Sequence, residues 1–447
     1  MRVFGTSGFR GYVDEKLSPL NVVKLALAFS SFLSGGRIAV GRDARLGNRV
    51  IHPAFVSGLL AGGSDVVDFG LTSTPALLHG MKGRSEGAAM ITGSHTPPDI
   101  HGILLFRRDT AEIFGDEERE IEEIFVRERF QLASLDGLGK LEIGDALPSY
   151  REDVRREFPT LRGRIVLDAG HSPAVRDFLY VLDDLEIKVL NGEVRGDFPN
   201  RPPEPDQKSL ELLGRIVRDE SATFGLSLDG DGDRAIFVDE KGEVVPPDRL
   251  GILFALEEAR SRGIRKVACP VNTTGAVEAL REHGIEVIYT KVGPPAMAEA
   301  ILRKGAGFAF EESGKYIWPE NILYGDPVYA TAKLLQVLDG RALSESLSWI
   351  PRRYTRKGAV PCPDHMKRRL LSEIEALIGS LGVLIRIDGV KVLLDDGSWM
   401  LFRPSGTEPV FRYHVDAPTE ERALQLERKA LSLIRSAGKA AGLENLN

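Results

Sequence analysis

Three aspartates alternate with glycines at Asp229-Gly230-Asp231-Gly232-Asp233, and Arg234 follows directly. Carboxylates at this spacing in a tight turn can converge on one hard cation, because glycine permits the backbone bends that requires. The run lacks the later Glu that closes a calcium-binding helix–loop–helix, and it follows the strand-like Phe224-Gly225-Leu226-Ser227-Leu228. Three protein carboxylates leave coordination positions open, which suits a metal that also holds a phosphoryl oxygen. A solvated acidic turn is the plain alternative, and the mutual repulsion of three close charges counts against it.

Thr92-Gly93-Ser94-His95-Thr96-Pro97-Pro98-Asp99 presents a serine hydroxyl among small residues, on a loop stiffened by proline. Ser94 beside His95 invites a hydrolase, but the Gly-x-Ser-x-Gly elbow is missing. Arg403-Pro404-Ser405-Gly406-Thr407-Glu408-Pro409, with Arg412 beyond, offers a turn of backbone N–H groups, two hydroxyls and bidentate arginine, the parts of a phosphate grip. It is not a nucleotide P-loop, since the Gly-Lys-Ser/Thr ending is absent. Glu311-Glu312-Ser313-Gly314-Lys315 can exchange hydrogen bonds with sugar hydroxyls, and Lys315 can meet a phosphate. Near the N-terminus, Gly5-Thr6-Ser7-Gly8-Phe9-Arg10-Gly11 brings a further arginine, Arg10. As lone loops, the last two are matched by ordinary surface turns.

Elements must position these loops. Three segments share one local pattern, a basic residue, an apolar run, a polar glycine-containing loop and a helix-like stretch: Gly36–Asp43, Gly163–Gly170 and Arg265–Asn272. Their spacing predicts several α/β domains with mixed or parallel sheets. Pro199-Asn200-Arg201-Pro202-Pro203-Glu204-Pro205 reads as an ordered loop. Pro246-Pro247-Asp248 opens a new helix, Pro361-Cys362-Pro363 marks a break, and the tail from Thr419 reads as an amphipathic helix. Boundaries fall near residues 150, 247 and 355, giving domains 1–150, 151–247, 248–355 and 356–447.

The 447 residues, 43% hydrophobic and 28% charged, suit an ordinary globular chain. No apolar run approaches the ~20 residues of a membrane-spanning helix. A net charge of −7 argues against a nucleic-acid surface. The two cysteines, Cys269 and Cys362, have no metal-ligand spacing and are expected as reduced thiols in a cytoplasm. A homo-oligomer is compatible with all of this.

The four main loops, in this order, resemble the α-D-phosphohexomutase family of phosphoglucomutases, phosphomannomutases and phosphoglucosamine mutases. Gly41-Arg42-Asp43, Thr74-Pro75 and Phe198-Pro199 through Pro203-Glu204-Pro205 extend the resemblance over nearly the whole chain. It implies three related α/β domains and a smaller α+β C-terminal domain around a central cleft. It implies Ser94 as bearer of the transferred phosphoryl group, with Arg10 and His95 beside it. Mg2+ is expected on Asp229, Asp231, Asp233 and the phosphoserine, with a sugar bisphosphate as activator. The sugar phosphate is expected to be read by Glu311, Ser313 and Lys315. Arg234, Arg403, Ser405, Gly406, Thr407 and Arg412 are expected to hold its phosphates.

The chain departs from the family at several positions. Thr96 replaces the usual Asn, and Leu104 stands where a lysine is thought to assist proton transfer. His101, Arg10, His95 and Lys315 are the candidates to replace that lysine. Lys315, Pro294 and Gly325 also differ from the usual residues. The expected activity is a hexose or hexosamine 1-phosphate/6-phosphate mutase. The alternatives are pentose specificity, a non-catalytic sugar-phosphate binder, and a serine hydrolase, which leaves the aspartate loop without purpose.

Overall fold

The three repeated segments become the central strands of three separate sheets. The computed structural model describes residues 4, 5, 7–406 and 409–443. The first sheet has β1 (Phe9–Gly11), β2 (Gly36–Arg42), β3 (Ser64–Leu71), β4 (Gly87–Ile91), β5 (His101–Arg107) and β6 (Leu141–Ile143). Its order is β1-β5-β4-β2-β3-β6. The second has β7 (Arg164–Asp168), β8 (Glu186–Leu190), β9 (Phe224–Leu228), β10 (Ala235–Val238) and β11 (Val244–Val245), in the order β11-β10-β9-β7-β8. The third has β12 (Lys266–Pro270), β13 (Glu286–Thr290), β14 (Phe308–Phe310) and β15 (Tyr316–Ile317), in the order β13-β12-β14-β15.

One plan recurs in all three. Counted from β2, β7 and β12, the first strand pairs in parallel with the second and third, and the third turns back antiparallel into the fourth. That gives β5-β4-β2-β3, β10-β9-β7-β8 and β15-β14-β12-β13. The serine, aspartate and Glu311–Lys315 loops are therefore the same piece of topology, the hairpin connection leaving the C-terminal end of the third parallel strand. Ligands of open α/β sheets gather at that end.

Helices cover these sheets. In the first domain α1 (Pro19–Phe32) packs on α2 (Asn48–Ala61), while α3 (Thr74–Met81) lies against α5 (Leu147–Glu157), with α4 (Asp116–Arg127) between them in sequence. Ser73 caps α3 by accepting the Ala76 N–H at 3.0 Å, and Pro75 sits in its first turn, where no N–H is missed. Helix α5 runs across residue 150, and Pro247–Ser261 starts on its proline.

The fourth domain is a five-stranded antiparallel sheet, β16 (Tyr354–Pro361), β17 (Val383–Ile385), β18 (Val390–Leu393), β19 (Trp399–Pro404) and β20 (Val410–Ala417), in the order β16-β20-β19-β18-β17. Helices Asp364–Ile378 and Glu420–Ala441 cover it. The latter is the tail helix expected from the sequence, capped by Thr419 accepting the Arg422 N–H at 3.2 Å. The architecture is the expected one, three related α/β domains and an α+β domain.

Buried side chains tie the domains together. Domains two and three share one apolar core from Phe158 through Phe254 to Ile350. Ala111 and Phe114 of the first domain pack on Met297 and Ile301 of the third, and Val271 packs on Trp399 and Leu401 of the fourth. Among the described residues, no helix is long and apolar enough to cross a membrane.

Candidate active site

The four domains face one cleft of ≈ 1050 Å³. Ser94, three residues beyond β4, has φ +50°, in the left-handed region that a non-glycine residue occupies only under constraint. Its hydroxyl donates to Asp229 Oδ2 at 2.7 Å, across the boundary between the first and second domains.

The aspartate loop is buried. Asp229, Asp231 and Asp233 can bring one carboxylate oxygen each within 4.8 Å of the others. Gly232 turns the loop at φ +70°, where a Cβ would lie 2.3 Å from that of Ala174. Both Asp229 oxygens, but only one of Asp231 and one of Asp233, are hydrogen-bonded. Asp229 Oδ1 accepts the N–H groups of Asp233 at 3.1 Å and Arg234 at 3.2 Å. Asp231 Oδ2 accepts the Thr74 hydroxyl at 2.6 Å, and Asp233 Oδ2 accepts Lys315 Nζ at 2.7 Å. Asp231 Oδ1 and Asp233 Oδ1 are buried without a hydrogen-bond partner. Orphaned buried anionic oxygens converging beside a serine hydroxyl fit a divalent cation. The charge balance agrees. Burial, then the neighbouring carboxylates, push Asp229 well above the usual carboxylate range and Asp231 up to about 6.

Cations surround this anionic centre. Arg10, carried on β1 opposite Gly102, donates from Nη1 to Gly93 O at 2.8 Å and from Nε to Ser7 O at 3.0 Å. Arg234 Nε lies 3.7 Å from both Asp229 and Asp233. His95 Nδ1 is 3.4 Å from Ser94 Oγ, and burial followed by Arg234 and Arg10 drives its pKa down to about 2. The imidazole is therefore neutral at physiological pH.

Leu104 is fully buried among Leu77, Leu78, Met81, Phe106, Ile322 and Tyr324. Of the candidates to replace a lysine there, His101 does not line the cleft. Its Nε2 accepts the Gly47 N–H at 3.1 Å and its Nδ1 is 3.0 Å from Asp99 O. Arg10, His95 and Lys315 do line it. Lys315 also lies 4.0 Å above the Tyr324 ring, and Gly325 packs against its methylenes and the Asp233 carbonyl.

On the third domain's wall, Ser313 Oγ donates to Glu311, and Glu312 accepts Asn272 Nδ2 at 2.8 Å. Pro294, at the start of helix Pro294–Lys304, lines the same wall. The fourth domain contributes Arg403 and Arg412, directly opposite each other on β19 and β20. Arg403 Nε pairs with Asp388 at 2.7 Å, which offsets the like-charge pairing across these strands. Gly406 also lines the cleft, whereas Ser405 is buried and its carbonyl accepts Lys367 Nζ at 2.6 Å. Thr407 lies outside the described residues.

Sequence reasoning missed Lys16, Lys357 and His414, which also line the cleft. His414 lies two residues beyond Arg412 on β20, and Lys357 is its partner on β16. Burial, then Lys357 and Arg403, push His414 down to about 4. The alternation Arg412-x-His414 was the available signal.

Comparison with known proteins covers the whole chain. Models described as phosphoglucomutase/phosphomannomutase alpha/beta/alpha domains I, II and III match residues 1–132, 149–242 and 246–354, and the C-terminal domain model matches 359–432. A probable phosphoglucosamine mutase of Pyrococcus abyssi is 36% identical, with 98% of this chain and 99% of that one covered. A phosphopentomutase of Thermococcus kodakarensis is 34% identical, with 99% of each covered. A phosphoglucomutase/phosphomannomutase family protein of Burkholderia thailandensis superposes with TM-score 0.88 at 26% identity, over 100% of this chain and 98% of that one.

Proposed function

The chain belongs to the phosphoglucomutase/phosphomannomutase family, and from that premise we propose that it exchanges the 1- and 6-phosphates of a hexosamine, with Ser94 as the carrier. The observation that carries this reading is the buried Ser94 hydroxyl, 2.7 Å from Asp229, which together with His95 and Arg234 lines a cleft that Arg403 and Arg412 also line. Phosphoryl transfer needs positioning and charge neutralisation more than covalent chemistry, and this cleft offers both.

Asp229, Asp231 and Asp233 would hold Mg2+ together with the phosphorylated Ser94. When bound, the ion supplies neutralisation of charge on the phosphoryl oxygens. Arg234 and Arg10 lie where they can grip the reacting phosphate, and Arg403 and Arg412 the distal one. The bond from phosphorus to Ser94 Oγ breaks as a bond forms to the free sugar hydroxyl, and that hydroxyl's proton passes to the departing Ser94 Oγ, from which it returns in the second transfer. The resulting bisphosphate turns end for end. Its other phosphate then returns to Ser94 Oγ, and the freed sugar oxygen regains a proton. A sugar bisphosphate would thus prime the unphosphorylated protein. Glu311 and Ser313 face the sugar, and their hydroxyl and carboxylate groups can serve it in either orientation.

The hexosamine rests on the several archaeal relatives named as probable phosphoglucosamine mutases. A pentose is the second reading, because the Thermococcus kodakarensis phosphopentomutase is nearly as similar. Purified chain with Mg2+ and a bisphosphate activator is offered glucosamine, glucose, mannose and ribose 1-phosphates. Fastest isomerisation of glucosamine 1-phosphate is expected, with a mass increment of one phosphate that vanishes in Ser94→Ala. Dominant turnover of ribose 1-phosphate moves the substrate to the pentose. No turnover and no phosphate on Ser94 leaves a sugar-phosphate binder and ends the mutase reading.

A further inference from the structure

Arg45 is wholly buried, yet it lies neither on the metal loop nor on the cleft wall. Its guanidinium has five N–H donors, and each finds an acceptor. Nε donates to Asp43 Oδ2 at 3.2 Å, Nη1 to Ile100 O at 2.7 Å and to Pro97 O, and Nη2 to Ser94 O at 2.7 Å and Thr96 O at 2.6 Å. Four of the five are carbonyls of the single loop that carries Ser94. The loop curls around the cation like a crown, and its own backbone supplies only Thr96 N to Gly93 O at 3.1 Å and Ile100 N to Pro97 O at 3.0 Å. A Cβ at Gly93 would fall 2.4 Å from Arg45 Cζ, so nothing larger than glycine fits beside it.

The guanidinium also meets the second domain. Its carbon lies 5.4 Å from the centre of the Phe198 ring, and the Arg45 backbone bridges to Gly196. Asp43, which also accepts the Thr92 hydroxyl at 2.7 Å and the Gly93 N–H at 3.2 Å, orients the arginine and the loop together.

From this geometry we infer that Arg45 is a positioning residue: it holds the Ser94 loop in the constrained shape that phosphoryl transfer uses, and it ties that shape to the domain carrying the aspartate cluster. The inference rests on Ser94 being the phosphoryl carrier. Lysine keeps the charge but offers three donors from one nitrogen, so it cannot span four carbonyls. Displacing the serine by a fraction of an ångström mainly costs turnover, because the distal phosphate and sugar contacts remain.

The test compares wild type with Arg45→Lys, both checked for fold by circular dichroism and thermal melting. Arg45→Lys is expected to lower kcat about 100-fold while KM and Mg2+ affinity hold within about twofold. Slower labelling of Ser94 by sugar bisphosphate should accompany the loss. A kcat near wild type, or a loss carried by KM, overturns the inference and leaves the Ser94 reading intact. If wild type itself neither isomerises sugar phosphates nor takes up phosphate, the Ser94 reading fails and this inference falls with it. Should Arg45→Lys not fold, Phe198→Leu decides. That variant strips the ring from the guanidinium and spares its hydrogen bonds, with kcat expected about fivefold lower at constant KM. An unchanged kcat there counts against the inference.

Discussion

Replacing Lys315 by methionine tests whether the aspartate cluster is built for a cation. The lysine is buried, its Nζ is 2.7 Å from Asp233 Oδ2, and with it gone the nearest cationic nitrogen to Asp233 is Arg234 Nε at 3.7 Å. Removing one partner of a buried ion pair costs ~3–5 kcal/mol, because the other charge is left uncompensated. With ~2.1 cal/mol/K of unfolding entropy per residue, a chain of 447 residues shifts about 1 °C per kcal/mol, so the metal-free variant should melt ~3–5 °C below wild type. Mg2+ can restore what the ammonium supplied. At about 100 times its Kd a ligand stabilises by ~2.7 kcal/mol, so much of the deficit should close in saturating Mg2+. With no ammonium competing, Mg2+ should also bind Lys315→Met about tenfold or more tightly. Melting curves in chelator and across a Mg2+ series, with titration calorimetry, give both quantities. A deficit of equal size with and without Mg2+, or weaker Mg2+ binding by the variant, would refute the reasoning.

Thr74→Val keeps the shape of the side chain but removes the hydroxyl that donates to Asp231 Oδ2 at 2.6 Å. It should cost ~1–3 kcal/mol of stability, and weaken Mg2+ binding by calorimetry, with Thr74→Ser close to wild type. His79 is buried with ring nitrogens 2.9 Å from Asp153 and 3.1 Å from Asp326. Burial alone would lower its pKa, but the two carboxylates outweigh burial and raise it. Its contribution is therefore complete below the unfolded value of ~6.5 and is lost as pH climbs through the higher folded value. The urea midpoint of wild type should fall with rising pH above that point, and His79→Gln should fall less. Parallel curves would remove His79 from the account.

The chemistry-bearing loops were legible because their evidence is local. Alternating aspartates, a serine among small residues and Ser-Gly-Thr between arginine and proline each advertise a turn within a few positions. The central strands were legible for a similar reason, since short apolar runs bounded by glycine and charge recur at Ile38, Ile165 and Val267. Contacts between distant segments left no such trace. Arg45 reads as one more basic residue after Gly41-Arg42-Asp43, and apart from Asp43 its acceptors are carbonyls about fifty positions away that any residue type could supply. Lys16 and Lys357 carry no spacing signal; only folding turns them into the cleft. The network of His79, Tyr150, Asn321 and Asp326 joins the first and third domains through single side chains from separate elements. Leu104 was readable as an oddity, but its apolar surroundings belong to tertiary packing.

The shared hairpin placement of three loops bears on how the cleft meets a ligand. A connection that leaves a sheet and re-enters the same sheet next door is stapled at both feet, so the entropy of ordering it is lost when the chain folds. Little remains to be frozen when a small anion arrives, and preorganised groups bind with less loss than groups that must be gathered. The three α/β walls thus behave as a fixed stage, and the freedom needed to present first one end of a molecule and then the other falls to the guest.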